Sequence, residues 1–250
     1  MAFGGNLLNP IFIPLLKLPP LFGILLISLV ISVIIVLAYK YFTDQNEMKS
    51  LKGQIKDFQK QMKASKDNPQ KVMKLQKQSM DVNMKYMMKS MKPTLFTFIP
   101  IIIIFGWLNS HLAFAPIIPG EEFTTSIVLE EGATGEATLE VPEGVEVVDD
   151  TTKQITGSAV QWKLKGDYGE HLLGYNVNGN EYTKDVLITE EQAYAPIVQK
   201  VDNGIVKSIS IDNSKLIVLN LFGWKLGWLG VYIIFSLVFS MGLRKLLNIY

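Results

Sequence analysis

The chain contains no cysteine and only two histidines, His111 and His171, among its 250 residues. Without thiolates it forms neither disulfides nor zinc or iron–sulfur centres built on cysteine, and two histidines exclude a histidine-rich metal site. Charged residues are also scarce: they make up 19% of the chain, whereas an ordinary soluble domain has about 25%. Together with the positive mean hydropathy of +0.24, this scarcity indicates a membrane protein.

Motifs of the common enzyme classes are missing as well. The sequence has no GxGxxG, P-loop, HExxH or GxSxG pattern, and neither histidine has a nucleophile and an acid partner that the sequence reveals. The acidic pairs Glu130-Glu131 and Asp149-Asp150 lack the ligand spacing of an EF-hand, and we interpret them as solvated surface. We therefore expect no enzymatic activity, no cofactor and no metal.

Charge is strongly segregated along the chain, although the net charge is only +1. Residues 40–92 hold 13 lysines against 5 acidic residues, whereas residues 110–222 hold 7 lysines against 18 acidic residues. Such segregation predicts two soluble parts in different surroundings.

Three long apolar runs accompany these charged segments. Residues 21–39 carry no charge over 19 residues, which as a helix extend roughly 28 Å, about the thickness of the hydrocarbon core of a bilayer. We predict three transmembrane helices, at residues 21–39, 93–111 and 223–243. Helices buried in a soluble core are the alternative, but three separate uncharged runs are rare in soluble folds.

The positive-inside rule orients these spans. Lysines follow the first span rather than precede it, so we predict an uncleaved helix with its N-terminus outside. The lysine-rich residues 40–92 are then cytoplasmic, the acidic residues 112–222 are extracytoplasmic, and the basic tail 244–250 is cytoplasmic. Residues 1–20 form an extracytoplasmic segment, and the expected location is the plasma membrane.

The predicted cytoplasmic segment has the pattern of a helical hairpin. Its first half carries apolar residues at heptad spacing: Met48, Leu51, Ile55, Phe58 and Met62. Asn68 and Pro69 suit the N-cap and the first turn of a second helix. That helix repeats the spacing at Met80, Met84, Met87 and Met91. We predict an antiparallel coiled coil with arms of about 20 residues, the second of which runs into the second span with Pro93 at the junction.

Methionine is concentrated in this hairpin, since seven of the ten methionines lie in residues 62–91. Its unbranched, polarizable side chain makes an adaptable apolar surface that accepts varied partners. Two roles stay open for Met62, Met73 and Met80: they either fill the hairpin seam or contact a substrate. Met87 and Met88 are adjacent and are flanked by Met84 and Met91, so these four cannot all face one narrow seam. For them we predict an exposed or lipid-facing role.

The acidic segment changes to a β pattern, with short alternating runs from Thr124 to Val218 that Gly, Pro, Asn and Asp punctuate. The run NVNGNEYTKDV predicts a hairpin with its turn at Asn178-Gly179. About seven short strands in about 95 residues are typical of an all-β sandwich of immunoglobulin-like kind, here without its disulfide. Trp162 is then a core residue.

Polar side chains within the predicted spans are few, and none in the middle of a span is ionisable. Ion pathways usually contain buried ionisable residues, so a coupled transporter is disfavoured. The hydroxyls either line a shallow wet groove or support helix packing, and both uses stay open. They belong to Ser28, Ser32, Thr94, Thr97, Ser236 and Ser240.

The order of these parts resembles a known family. A first helix with its N-terminus outside, a lysine- and methionine-rich hairpin, the run MDVNMKYMMKSMKPTLFTFIPIIIIFGWL and a third helix are similar to the archaeal YidC-like proteins. These are grouped with the bacterial insertase YidC, its mitochondrial counterpart and a core subunit of the eukaryotic ER membrane protein complex. The resemblance covers residues 18–118 and 224–247 and is most specific over Met80–Leu108.

The resemblance implies a membrane protein insertase, in which three helices enclose a hydrophilic groove open to the cytoplasm and the bilayer. The six hydroxyls named above would line this groove. The hairpin would receive nascent chains through Met80, Met84, Met87, Met88 and Met91. Clustered lysines bind phosphate without sequence preference, and those of the hairpin would contact the ribosome or lipids, with a solvated face as the alternative: Lys56, Lys60, Lys63, Lys66, Lys71 and Lys74.

One feature departs from the family. Bacterial YidC carries an arginine on its first core helix, where this chain has only Ser28 and Ser32, with Lys40 at the helix end. Expected partners are nascent membrane proteins and lipids, while the ribosome or translocon and an additional small membrane subunit stay open. Three other functions also stay open: a membrane-anchored extracytoplasmic β domain that binds envelope components or partner membrane proteins, a channel or transporter subunit, and a scaffold that dimerises through the hairpin.

Overall fold

The computed structural model describes residues 5–202 and 204–249. The chain divides into two compact units, which we term the helical unit (Met1–Phe12, Leu21–Trp107 and Leu229–Tyr250) and the β unit (Ile13–Pro20 and Leu108–Trp228). The helices are α1 (Gly5–Leu16), α2 (Pro20–Phe42), α3 (Gln45–Ala64), α4 (Pro69–Leu112) and α5 (Trp228–Leu246). The strands are β1 (Phe123–Leu129), β2 (Glu136–Glu140), β3 (Val145–Val147), β4 (Thr152–Gln154), β5 (Ala159–Gly166), β6 (Gly169–Val177), β7 (Asn180–Ile188), β8 (Val198–Lys200), β9 (Val206–Ile211), β10 (Leu219–Leu221) and β11 (Trp224–Leu226).

Helices α2, α4 and α5 are long and apolar enough to cross a membrane. The chain is thus a multi-pass membrane protein with three apolar helices and a region of antiparallel sheets, as predicted at this level of detail. The bounds of the third span differ from the prediction. Residues 224–226, placed in the span 223–243, form a strand, and the helix begins only at Trp228.

Helix α4 is continuous over 44 residues, with Pro93 and Pro100 inside it. The predicted division between the hairpin (40–92) and the second span (93–111) is therefore not a break in secondary structure. Hydroxyls lie close to the first proline: Thr97 Oγ1 donates to the carbonyl of Pro93 at 3.1 Å, and Thr94 Oγ1 donates to that of Ser90 at 3.0 Å. Both bonds run from a side chain to the carbonyl four residues earlier in the same helix.

The helical hairpin is formed by α3 and the first half of α4. Asp44 caps α3 by accepting hydrogen bonds from the amides of Asn46 and Glu47, at 2.9 and 3.1 Å. Asn68 caps α4 by accepting from the amide of Lys71 at 3.0 Å, which confirms the predicted helix start. The two arms are antiparallel, because Glu47 in the first turn of α3 pairs with Lys89, far along α4, at 2.7 Å.

The inner face of the hairpin differs from the prediction on one arm. On α3, Met48 and Leu51 are buried, in keeping with the heptad spacing. On α4 the buried and half-buried positions are Val72, Leu75, Ser79, Val82 and Tyr86, spaced 3, 4, 3 and 4. Met84, Met87, Met88 and Met91 are exposed, as predicted, and Met80, for which the seam and substrate contact both stayed open, is exposed as well. Two stripes with helical spacing lie on this arm, and the methionine stripe is the more exposed of the two.

Helix α1 occupies the N-terminal segment that was predicted only as extracytoplasmic. Its Asn9 Oδ1 accepts a hydrogen bond from Trp107 Nε1 at 2.8 Å, and Phe12 packs 5.1 Å from the same indole, measured between ring centroids. These two contacts join α1 to α4 within the helical unit.

The β unit contains two larger antiparallel sheets around one apolar core. Their strand orders are β3-β5-β1-β9-β8 and β4-β2-β6-β7. The predicted hairpin is confirmed: β6 and β7 pair throughout, and Asn178 (φ 50°) and Gly179 (φ 82°) form their turn. The strands outnumber the seven predicted because β3, β4 and β8 have only three residues each, which is too short for an alternating pattern.

Trp162 lies in the core of the β unit, as predicted, and has no exposed surface. Its ring centroid is 5.9 Å from that of Tyr175, which belongs to the other sheet. Its Nε1 donates to the carbonyl of Thr151 at 2.9 Å. The indole thus fills the space between the sheets and has a partner for its polar atom.

The segment after β7 caps the end of α4, where the last carbonyls lack helical partners. Gln192 Nε2 donates to the carbonyls of His111 (3.0 Å) and Phe114 (2.9 Å). Tyr194 Oη accepts from the amide of Ala113 at 3.2 Å and donates to the carbonyl of Asn109 at 3.3 Å.

We expect Gln192→Ala to fray the last turn of α4. It removes two partly buried hydrogen bonds, each contributing about 1 kcal/mol, so amides 108–114 should exchange with solvent deuterium about thirtyfold faster. Hydrogen exchange of the full chain in detergent measures this. The matched control is Gln199→Ala, at an exposed position on β8. Equal exchange in the two variants would contradict the capping role.

A second expectation concerns alkaline pH. Burial raises the pKa of Tyr175 to about 12, against the lowering effect of its hydrogen bond with Thr125. The unfolded chain binds fewer protons above pH 10, so this residue's contribution to stability is present below about pH 10 and is lost as pH rises toward 12, up to roughly 3 kcal/mol. Urea unfolding at several pH values, compared with Tyr175→Phe, measures this loss. The variant should show a shallower decline, and an unchanged slope would count against the assignment.

Candidate functional site

One hydroxyl of α2 reaches the backbone of α5 inside the helical unit. Ser28 and Ser32 are both buried. Ser28 Oγ donates to the carbonyl of Ile24 in its own helix at 2.7 Å, whereas Ser32 Oγ donates across to the carbonyl of Ser236 on α5 at 3.4 Å. The second bond is a polar link between two predicted transmembrane helices.

A second polar cluster lies near the C-terminal end of α2 and joins three helices. The Tyr39 hydroxyl is 3.2 Å from the carbonyl of Ser90, to which it donates, and 3.2 Å from Thr94 Oγ1. The guanidinium of Arg244, on α5, lies 4.4 Å from the centroid of the Tyr39 ring, within the range of a cation–π contact. Tyr39 therefore contacts α4 through its hydroxyl and α5 through its ring face.

The six hydroxyl residues predicted from the sequence fall into different environments. Ser28, Ser32 and Thr97 are buried and donate to backbone carbonyls. Thr94 is exposed, and Ser236 and Ser240 are half-buried. Of these three side chains only Ser32 bonds to another helix, and lining of a wet groove by the six residues stays a prediction.

Sequence reasoning missed Tyr39 and Arg244 as members of this site. Tyr39 is the last residue of the first predicted span and Arg244 the first residue of the predicted basic tail, and neither was counted among the polar side chains of the spans. The spacing carried a usable signal: Ser236, Ser240 and Arg244 are four residues apart, and Tyr39 lies seven residues, or two helical turns, beyond Ser32. Each therefore continues the polar stripe of its helix.

A long apolar stripe lies on the outer side of α4. The methionines predicted to contact substrate are all exposed by half or more of their surface: Met80, Met84, Met87, Met88 and Met91. The stripe continues at helical spacing into the predicted span through Leu95, Phe98 and Ile102, which are likewise exposed. One unbroken apolar surface thus runs from the hairpin arm into the membrane-spanning half of the same helix.

The predicted lysines lie on both arms close to the turn of the hairpin. All six are exposed: Lys56, Lys60, Lys63, Lys66, Lys71 and Lys74. The tip of the hairpin is therefore a positively charged surface, and the methionine stripe begins further along the second arm.

Comparison with known proteins adds one finding. A family model described as integral membrane protein EMC3/TMCO1-like matches residues 7–130. The matched segment contains α2, α3 and α4. It therefore includes the helical hairpin, the methionine stripe and two of the three helices that meet at Tyr39. No curated protein and no solved structure matches the chain.

Proposed function

Through residues 7–130 the chain belongs to the EMC3/TMCO1-like family of integral membrane proteins, part of the YidC/Oxa1/Alb3/EMC insertase superfamily, and from this we propose that it inserts membrane proteins. Membership indicates insertion or chaperoning of membrane proteins in general. Our proposal is more specific: the methionine stripe of α4 receives an emerging transmembrane segment and guides it into the bilayer.

The continuous stripe on α4 is the observation that supports this proposal most strongly. An apolar client segment that leaves water gains free energy in proportion to the apolar area it buries. A surface that runs without interruption from Met80 to Ile102 lets the segment move toward lipid while it stays covered. Flexible methionines at the start suit clients of varied shape. No nucleotide, metal or enzymatic step is needed, because transfer to lipid supplies the driving force.

The polar contacts between the helices suit the second step of insertion, in which the polar flank of the client crosses the membrane. A client's polar flank must cross the hydrocarbon region, where one charge at the centre costs about 2.5–3.5 kcal/mol on insertion scales. We propose that the hydroxyls of Ser32, Thr94 and Ser236, with Tyr39 and Arg244, form a polar path that lowers this cost. The polar path extends the predicted groove by one cation, Arg244 on α5. The first span itself has no cation.

The orientation belongs to the same proposal. The hairpin is cytoplasmic, the N-terminus and the β unit are outside, and the membrane is the plasma membrane. The lysines near the hairpin turn would contact the phosphates of the ribosome or of lipids. Nascent membrane proteins and lipids are the partners; the translocon or a small additional subunit would add to them.

Site-specific crosslinking tests the proposed path. A photo-reactive residue at Met84 or Met88 should crosslink to ribosome-tethered nascent chains that expose an apolar segment. Lys85 is the matched control, since it is exposed on the same arm about 100° around the helix from Met84. Strong crosslinks at the methionines and weak ones at Lys85 are expected. Equal labelling at all three positions, or none with the protein folded, would refute the path.

A further inference from the structure

The hairpin of β10 and β11 stands apart from the two larger sheets and has two unlike faces. Its strands pair Leu219 with Leu226 and Leu221 with Trp224, which places four apolar side chains on one face. The third pair, Asn220 with Lys225, occupies the other face. A two-stranded ribbon with one apolar and one polar face needs a partner for its apolar face, because an isolated hairpin is only marginally stable in water.

The end of this hairpin exposes large apolar side chains next to one another. Phe222 in the turn is fully exposed, Trp224 is 74% exposed and Leu221 is 44% exposed. Single exposed apolar residues are ordinary, whereas a contiguous group marks a contact surface.

The turn itself gives an independent sign of a contact function. Phe222 has φ 52° and Gly223 has φ 93°, and the Asn220 side chain accepts a hydrogen bond from the amide of Gly223 at 3.1 Å. Turns with positive φ at both central residues favour Asn or Asp followed by Gly, and a bulky side chain there is strained. Strain of this kind clusters at functional sites such as ligand clamps and switch regions. Phe222 is therefore an unfavourable residue for this turn, and its large apolar ring projects from the tip of the hairpin.

Chain connectivity decides which partner the apolar face can reach. Strand β11 ends at Leu226 and α5 begins at Trp228, so a single residue separates the hairpin from a helix long and apolar enough to cross a membrane. The four peptide steps from Trp224 to Trp228 extend at most about 14 Å. The hairpin is thus tied by a short stretch of chain to the N-terminal end of α5.

We propose that the β10–β11 hairpin is a lipid anchor that inserts its apolar face and the tip Phe222 into the boundary between headgroups and acyl chains. Aromatic side chains are favoured at that depth. Lys225 and Asn220, on the other face, lie toward the headgroups and water, where the ammonium attracts anionic phosphates. The anchor holds the C-terminal end of the β unit at the bilayer, and this role is independent of client insertion.

Depth measurement with a single label tests the proposal directly. The chain has no cysteine, so Phe222→Cys carries a unique spin label in the full chain, reconstituted into vesicles of phosphatidylcholine and phosphatidylglycerol. The matched control is Tyr168→Cys, because Tyr168 lies 69% exposed in the turn between β5 and β6. We expect oxygen to relax the label at position 222 several-fold more strongly than at 168, and a water-soluble nickel chelate to do the reverse.

The other outcomes are equally definite. A label at 222 as accessible to nickel as the control overturns the anchor. A label shielded from both oxygen and nickel indicates a protein partner instead, and also overturns it. As a second measurement, Phe222→Asp with Trp224→Asp should raise nickel access to a label at Leu221 several-fold, while Phe222→Leu should not. No change with the acidic pair would overturn the proposal even if the labelled variants behave as expected.

Discussion

Trp162→Ala is expected to unfold the β unit at 37 °C. The indole is fully buried between the two sheets, and its Nε1 donates a hydrogen bond to the Thr151 carbonyl. Removing a buried tryptophan costs about 3–5 kcal/mol, which is a large share of the 5–15 kcal/mol that typically stabilises a domain. Hydrogen exchange of residues 123–211 in the full chain should therefore approach that of the unfolded state. Tyr168→Ala, at an exposed turn, is the control and should leave exchange within experimental error of the parent.

The same variant separates the two leading functions. The proposed client path lies on α4 and the proposed polar path on α2, α4 and α5, all in the helical unit. An insertase should therefore keep most of its insertion of short apolar clients when Trp162 is lost. A protein whose β domain binds envelope components should lose its function entirely. Loss of insertion in Trp162→Ala, with the helices intact by circular dichroism, would contradict our proposal.

Local signals in the sequence were sufficient for several parts of the fold. Asn68-Pro69 combines a capping side chain with a fixed φ, and α4 begins there. Asn178-Gly179 tolerates positive φ at both positions, and the hairpin turns there. Both features are decided by the residues themselves and their immediate neighbours, so no knowledge of the tertiary structure was needed.

The features that the sequence did not reveal depend on choices between distant segments. On the second hairpin arm, the methionine stripe and the stripe of Val72, Leu75 and Val82 have the same helical spacing. Only packing against α3 decides that the second is buried. The contact of Tyr39 with Arg244 joins positions 205 residues apart, and the spacing within each helix aligns them only once the helices are known to be neighbours.

The second large effect is expected from replacing Met84, Met87, Met88 and Met91 together by glutamine. All four are exposed by half or more, and glutamine is a comparably good helix former, so the hairpin should fold as before. A fully buried methionine is worth about 1.5–3 kcal/mol. Half the lower value at four sites therefore gives about 3 kcal/mol, roughly a hundredfold in client binding.

The measurement for this variant is the yield of inserted client in vesicles that contain the full chain, at client concentrations below saturation. The matched control replaces the same four methionines by leucine, which keeps the apolar surface and removes only the thioether and its flexibility. If apolar area is what holds the client, the glutamine variant should lose most of its activity and the leucine variant should keep most of it. Loss in both variants would assign the role to the flexibility of methionine instead. Full insertion by the glutamine variant would remove the stripe from the client path and leave the lysine-bearing hairpin tip and the polar path as the places to seek client contacts.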